Sequence, residues 1–107
     1  MDSVNKIEEL AVLFKALSDP TRLKLLTLLL CKDRGNCKKN QCVMALTKKL
    51  DVSQSAVSQH LRVLRQTGIV IGDRMGFHVH YSLNKEFINR YKELIGEILG
   101  KEFIKDI

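Results

Sequence analysis

Three cysteines, Cys31, Cys37 and Cys42, lie close together in the chain. Thiolates are the ligands that soft ions such as As(III) or Cd(II) select, so a three-thiolate site is one chemistry they could supply. Lys32, Lys38 and Lys39 stand beside them and favour the thiolate form, which makes oxidation chemistry a second reading. A third is that they are packing residues: Cys31 can serve as a small hydrophobe, and gaps of five and four residues match no recognised ligand pattern. A different constellation follows at Ser53, Gln54, Ser55, Ser58, Gln59, Arg62 and Arg65, all hydroxyls, amides and guanidiniums. Such groups pair with base edges, Gln with adenine, Arg with guanine and Ser with either. His78 and His80 alternate with Phe77, Val79 and Tyr81 and so share one face of a strand. Two imidazoles without a nearby third ligand make a thin metal site, and a solvent-facing strand edge is the simpler reading.

Enzyme chemistry has little to stand on. The chain has no glycine-rich phosphate loop, no paired acids in a plausible pocket and no Ser/His/Asp arrangement with an orienting third group.

The elements that must position these residues can be read from periodicity. Residues 4–17 carry Val4, Ile7, Leu10, Ala11, Phe14 and Leu17 at helical spacing. Ser18-Asp19-Pro20-Thr21 then ends one helix and starts another, with Ser18 or Asp19 as cap and Pro20 in the first turn. The second helix is expected to reach about Leu30 with Leu23, Leu26 and Leu30 inward, and Cys31–Cys42 reads as a polar connector. Two short helices follow, Val43–Leu50 and Ser53–Thr67, with Gly68 as the left-handed stop. The period then changes: Ile69–Ile71 and Phe77–Leu83 are two β-rich runs around Gly72-Asp73-Arg74-Met75-Gly76, a hairpin signal. Asn84 opens a last helix with Phe87, Tyr91, Leu94, Ile95, Ile98 and Leu99 on one face. The predicted fold is therefore mainly α with a small β-hairpin, in the order α-α-α-α-β-β-α. Two helices joined by a very short turn and followed by a two-stranded ribbon make a winged helix-turn-helix, whose second helix is built to enter a DNA major groove.

Charge agrees with that placement. The chain of 107 residues carries a formal charge of +6. Residues 1–30 hold four basic and four acidic side chains and residues 84–107 five of each, so the excess lies entirely within 31–83, with nine basic against three acidic. A basic centre between balanced ends points to an anionic partner such as double-stranded DNA, the alternative being a solvated face with no partner.

Length bounds the chain to a single domain, and an odd number of cysteines suggests a reducing compartment, the cytoplasm. No apolar run reaches the roughly 18–20 residues of a spanning helix, and no secretory signal is expected at the N-terminus. No membrane partner follows from any segment.

Stepping about 100° per residue around the fourth helix puts Leu61 and Leu64 within about 40° of Val57, with Ser58, Arg62, Ser55, Gln66 and Gln59 opposite. No Asp or Glu occurs from Val52 to Ile71, as a helix facing phosphates requires. Ser53 and Gln54 are candidates for capping or phosphate contact, and His60 sits beside the buried stripe as a packed core-edge histidine. Lys48 and Lys49 are placed to hold flanking backbone, and Arg74 to meet phosphate or minor groove from the hairpin.

These segments resemble the ArsR/SmtB family of prokaryotic winged-helix repressors. The likeness is carried by Leu13–Leu23 with Ser18-Asp19-Pro20-Thr21-Arg22 at its heart, by Leu50–Arg65 with Ser53-Gln54-Ser55-Ala56-Val57-Ser58-Gln59-His60-Leu61, and by the hairpin into Tyr81-Ser82-Leu83. The resemblance implies a homodimer formed by the first and last helices (4–17 and 84–104), through Ile7, Leu10, Phe14, Phe87, Tyr91, Leu94, Ile95 and Ile98. It further implies a near-palindromic operator, read by two recognition helices about one DNA turn, roughly 34 Å, apart. Release by a bound metal or metalloid ion is also implied. The family's thiolate site falls here on Cys42, Val43, Met44 and Ala45, keeping one cysteine of two and losing the acid. Its site on the last helix falls on Lys85, Glu86 and Phe87, and no His or Cys follows Tyr81. The readings that compete with a metal-responsive repressor are a redox-responsive or ligand-independent regulator and a winged helix used for protein interaction.

Overall fold

A computed structural model describes residues 3–33 and 43–103. Helix α1 spans Ser3–Leu17, α2 Pro20–Asp33, α3 Val43–Lys49 and α4 Gln54–Thr67. Strands β1 (Val70–Met75) and β2 (His78–Leu83) form an antiparallel hairpin, and α5 (Lys85–Leu99) leads into a short 3₁₀ turn at Lys101–Phe103. The element order is the one expected.

Capping explains the boundaries. Asp19, rather than Ser18, caps α2: its Oδ1 accepts from the backbone N–H of Thr21 at 2.8 Å and of Arg22 at 3.3 Å. Ser18 instead closes α1 by donating its hydroxyl to the Lys15 carbonyl. Ser53 Oγ accepts from the Ala56 N–H and starts α4, and Gly68 ends it at φ 106°, where its N–H reaches the Leu64 and Arg65 carbonyls. Asn84 joins three elements. Its Oδ1 accepts from the Phe87 N–H, its Nδ2 donates to the Gly68 carbonyl, and its own N–H to the Ile69 carbonyl.

The core gathers Leu10 and Leu13 of α1, Leu25 and Leu29 of α2, Leu46 of α3, Val57, Leu61 and Leu64 of α4, then Ile69, Val70, Tyr81 and Leu94. Two expectations change here. On α2 the fully buried residues are Leu25 and Leu29, whereas Leu23 is 48% and Leu30 38% exposed and Leu26 is half-buried. Leucines occupy positions 23, 25, 26, 28, 29 and 30, so apolar residues surround most of the helix. Periodicity alone then cannot choose the inward face, and packing against α4 and β2 makes the choice. The hairpin is also tighter than expected. Gly72–Met75 continue β1 in register up to Met75↔His78, leaving Gly76 and Phe77 as the turn. Gly76 takes φ 67° while no non-glycine residue among those described has positive φ, the type II′ pattern that matches strand twist.

Cys37 and Cys42 lie outside the described residues. Cys31 falls in the last turns of α2.

Candidate nucleic-acid interface

The face opposite the core stripe of α4 is built as its periodicity implies. Val57, Leu61 and Leu64 are completely buried, which fixes the roll of the helix and turns Gln54, Ser55, Ser58, Gln59, Arg62, Arg65 and Gln66 outward, all exposed. Ser53 is exposed but its hydroxyl is engaged as the cap, so its free capacity toward another partner is reduced. Lys48 and Lys49 are exposed in the last turn of α3, where cations also suit the helix C-terminus.

The ribbon stands beside this face. Directly paired residues share a side, so Gly72, Arg74, Val79 and Tyr81 form one side, and Asp73, Met75, His78 and His80 the other. The first side looks toward α4: a Cβ on Gly72 would lie 3.1 Å from Val79 Cγ1, 3.3 Å from Tyr81 Cε1 and 3.5 Å from Arg65 Cδ. Arg65 thus lays its aliphatic stem across the one ribbon position without a side chain while its guanidinium reaches outward. A shallow cleft of about 340 Å³ lies here, lined by Ser58, Arg62, Arg65, Gln66 and Tyr81. Replacing Gly72 by Ala is expected to press on Val79 and Tyr81, which would sit closer than ordinary contact, and to shift the ribbon against α4, weakening DNA binding about 3- to 10-fold, at most ~1.4 kcal/mol. Titration of labelled duplex with wild type and variant tests this; equal affinities would show that the seating of the ribbon against α4 does not matter.

His60 is half-buried, and its partner is Arg22, a residue that spacing did not single out. Arg22 Nε donates to His60 Nδ1 at 3.2 Å and its Nη1 donates to the Ala16 carbonyl at 3.1 Å. One guanidinium therefore ties the end of α1 and the start of α2 to the middle of α4. The signal in the sequence was an imidazole at the edge of the buried stripe, because a polar group there needs a partner. Asp19 lies close to this pair. Desolvation pushes its carboxyl up, but the Arg22 and Thr21 N–H groups and the charges of His60 and Arg22 together hold it below its ordinary value.

Electrostatics separates the two ends of the molecule. Among the described residues the ion pairs are Lys6–Glu97 at 2.7 Å and Arg90–Glu9 at 2.8 Å, both joining α1 to α5. Their hydrogen bonds hold Glu97 below and Arg90 above their ordinary values. Tyr91 is raised by desolvation first and then by Glu9. Lys48, Lys49, Arg62, Arg65 and Arg74 make no ion pair among the described residues, so their charge is free for an external anion.

On the α1–α5 side, Ile7 is 51% and Phe14 42% exposed, and Phe87, Tyr91, Ile95 and Ile98 are half-buried. Phe87 and Tyr91 stack at 4.2 Å and help line an apolar groove of about 220 Å³ with Leu13, Ile69, Ile88, Lys92 and Ile95. Leu10 and Leu94 are each only 4% exposed. The resemblance puts them on a contact face between copies, but the α1–α5 packing buries them in this chain's own core, because they lie at the seam between the two helices. Among the described residues no group of three or more His, Cys, Asp or Glu is arranged to hold a metal ion. His78 and His80 stand opposite Met75 and Asp73 on the outer side of the ribbon.

Comparison with known proteins gives this geometry a family. The model of the bacterial regulatory protein arsR family matches residues 19–71, which run from the α2 cap to β1. An HTH-type transcriptional regulator of Methanocaldococcus jannaschii is 32% identical over 95 residues, covering 89% of this chain and all of that protein. The chain belongs to the ArsR family. A transcriptional repressor SmtB homolog of Synechocystis sp. is 37% identical over 93 residues, which span 86% of this chain and 65% of the relative, just under two thirds of its length. An ArsR-like transcriptional regulator from Rhodococcus sp. superposes with a TM-score of 0.72 at 30% identity, covering 94% of this chain and 88% of that one. The ArsR match includes Arg22 and His60, so the tie between them lies inside the family's shared region.

Proposed function

We propose that this ArsR-family protein is a DNA-binding transcriptional repressor that works as a homodimer in the cytoplasm. The observation that carries this reading is the face of α4: polar, free of carboxylates, bearing unpaired arginines and held rigidly by three fully buried residues. In this reading α4 lies in the major groove. Ser55, Ser58, Gln59 and Arg62 face base edges, while Lys48, Lys49, Gln54, Arg65 and Arg74 hold the backbone. Residues 1–107 act as one winged helix-turn-helix domain. The half-exposed Ile7, Phe14, Phe87, Tyr91, Ile95 and Ile98 face the second copy, backed by Leu10 and Leu94. Family membership and the repressor named among its relatives support the same reading. No helix among the described residues is long and apolar enough to cross a membrane.

Arg62→Ala tests the base-reading part. On the tightest duplex recovered by selection from a randomised pool, the variant is expected to lose about 1–3 kcal/mol, with a much smaller loss on scrambled DNA. An equal loss on both would assign Arg62 to phosphate, and no loss on either would remove α4 from the interface.

A further inference from the structure

The ribbon ends in a side chain for which the fold has no use. Phe77 is 100% exposed, more than any other large apolar residue among those described, and Met75 beside it is 58% exposed. Turn positions ordinarily hold Gly, Asn, Asp or Ser, and Gly76 already supplies the positive φ this turn needs. A phenylalanine there gains nothing within the protomer. Arg74 is the second observation: it is exposed, unpaired, and on the side of the ribbon that looks toward α4. The acid nearby, Asp73, is on the opposite side, across from His80.

Geometry limits what the tip can reach. The root of the ribbon is clamped by Val70 at 3% and Tyr81 at 7% exposure, whereas every residue from Asp73 to His78 is exposed. Six residues per strand at about 3.3 Å each make a ribbon of about 20 Å. The major groove is about 12 Å wide, so a ribbon rooted beside a helix in that groove spans the bordering backbone and delivers its tip to the neighbouring minor groove.

Resting on the DNA-binding reading above, we propose that Phe77 is a wedge that enters the minor groove and partly unstacks one base step, with Arg74 on the phosphate bordering that groove as its cationic anchor. The protein therefore bends its operator and prefers a pyrimidine–purine step where each wing lands, since those steps unstack most cheaply.

The test uses the tightest duplex recovered by selection with the wild-type protein. It carries dyes at its ends and a fluorescent adenine analogue at the step under the wing. Wild type is expected to bend the duplex by about 20° or more and to brighten the analogue. Phe77→Ala is expected to lose the brightening and most of the bend and to bind roughly 5- to 50-fold more weakly, whereas Phe77→Trp keeps all three. Changing the step from TA to AA should weaken wild type several-fold and leave Phe77→Ala indifferent. Both variants are expected to melt like wild type, because Phe77 is fully exposed. A straight duplex with wild type, or the same bend with Phe77→Ala, overturns the wedge and leaves the DNA-binding reading intact. A changed sedimentation of Phe77→Ala alone, with its DNA bend retained, would make the tip a contact between copies and also overturn it. If wild type selects no duplex at all, the functional reading itself has failed, before any variant is compared.

Discussion

Raising salt from 50 to 200 mM is expected to weaken DNA binding by roughly 10³- to 10⁵-fold, the loss typical of a protein that neutralises six to ten phosphates. Each protomer offers Lys48, Lys49, Arg65 and Arg74 as exposed cations without an ion-pair partner, so a dimer would meet about eight phosphates and release their counterions. A logarithmic plot of affinity against salt should therefore be linear and steep. Lys48→Ala should lower the slope by about 0.9 for each site while leaving sequence preference unchanged. The balanced charge on α1 and α5 contributes no such term, because Lys6, Glu9, Arg90 and Glu97 already satisfy one another. A flat plot would mean that the basic face binds something other than nucleic acid, as in a winged helix used for protein interaction.

The second large effect concerns the foundation of that face. Leu61 is fully buried and sits midway between Val57 and Leu64 on α4, one turn from each. Leu61→Ala should cost about 2–5 kcal/mol through lost transfer energy and the cavity left behind. A domain of this size has only about 5–15 kcal/mol of stability, so the loss is a large fraction of it. The melting temperature should fall by roughly 10 °C or more, judged from the usual entropy of unfolding. DNA affinity should fall with it, since the same stripe that fills the core aims Ser58 and Arg62 outward. Leu61→Met, which nearly conserves volume, should cost less than about 1.5 kcal/mol. Arg62→Ala, one residue away but exposed, should melt within about 0.5 kcal/mol of wild type. Thermal unfolding of the three variants checks the argument; a Leu61→Ala protein that melts within a degree or two of wild type would show that this core does not carry the fold.

Much of the candidate interface was legible from residue order because the forces that build it are local. The stripe of α4, its serine cap and its glycine stop all depend on residues within a few positions of one another, and a helix turns every such pattern into a face. The same holds for the carboxylate-free stretch from Val52 to Ile71, the hairpin, and the asparagine that opens α5. Family likeness was legible for the same reason, since Asp19-Pro20-Thr21-Arg22 and Ser53–Leu61 are continuous runs.

What tertiary structure alone decided involves partners distant in sequence. Six leucines on α2 present several equivalent faces, and only the positions of α4 and β2 select Leu25 and Leu29 over Leu23 and Leu30. Leu10 and Leu94 share the pattern of their neighbours, yet the seam between α1 and α5 buries them while leaving Ile7 and Phe14 exposed. Arg22 and His60 are 38 residues apart, so no periodicity links them, and their bond appears only when α2 is laid against α4. Gly72 reads locally as part of a turn, but the approach of Arg65, Val79 and Tyr81 makes it a rung of the ribbon. Local pattern sets which face a helix can bury, whereas the neighbour that arrives sets which face it does bury, because close packing admits one arrangement of side chains at each contact.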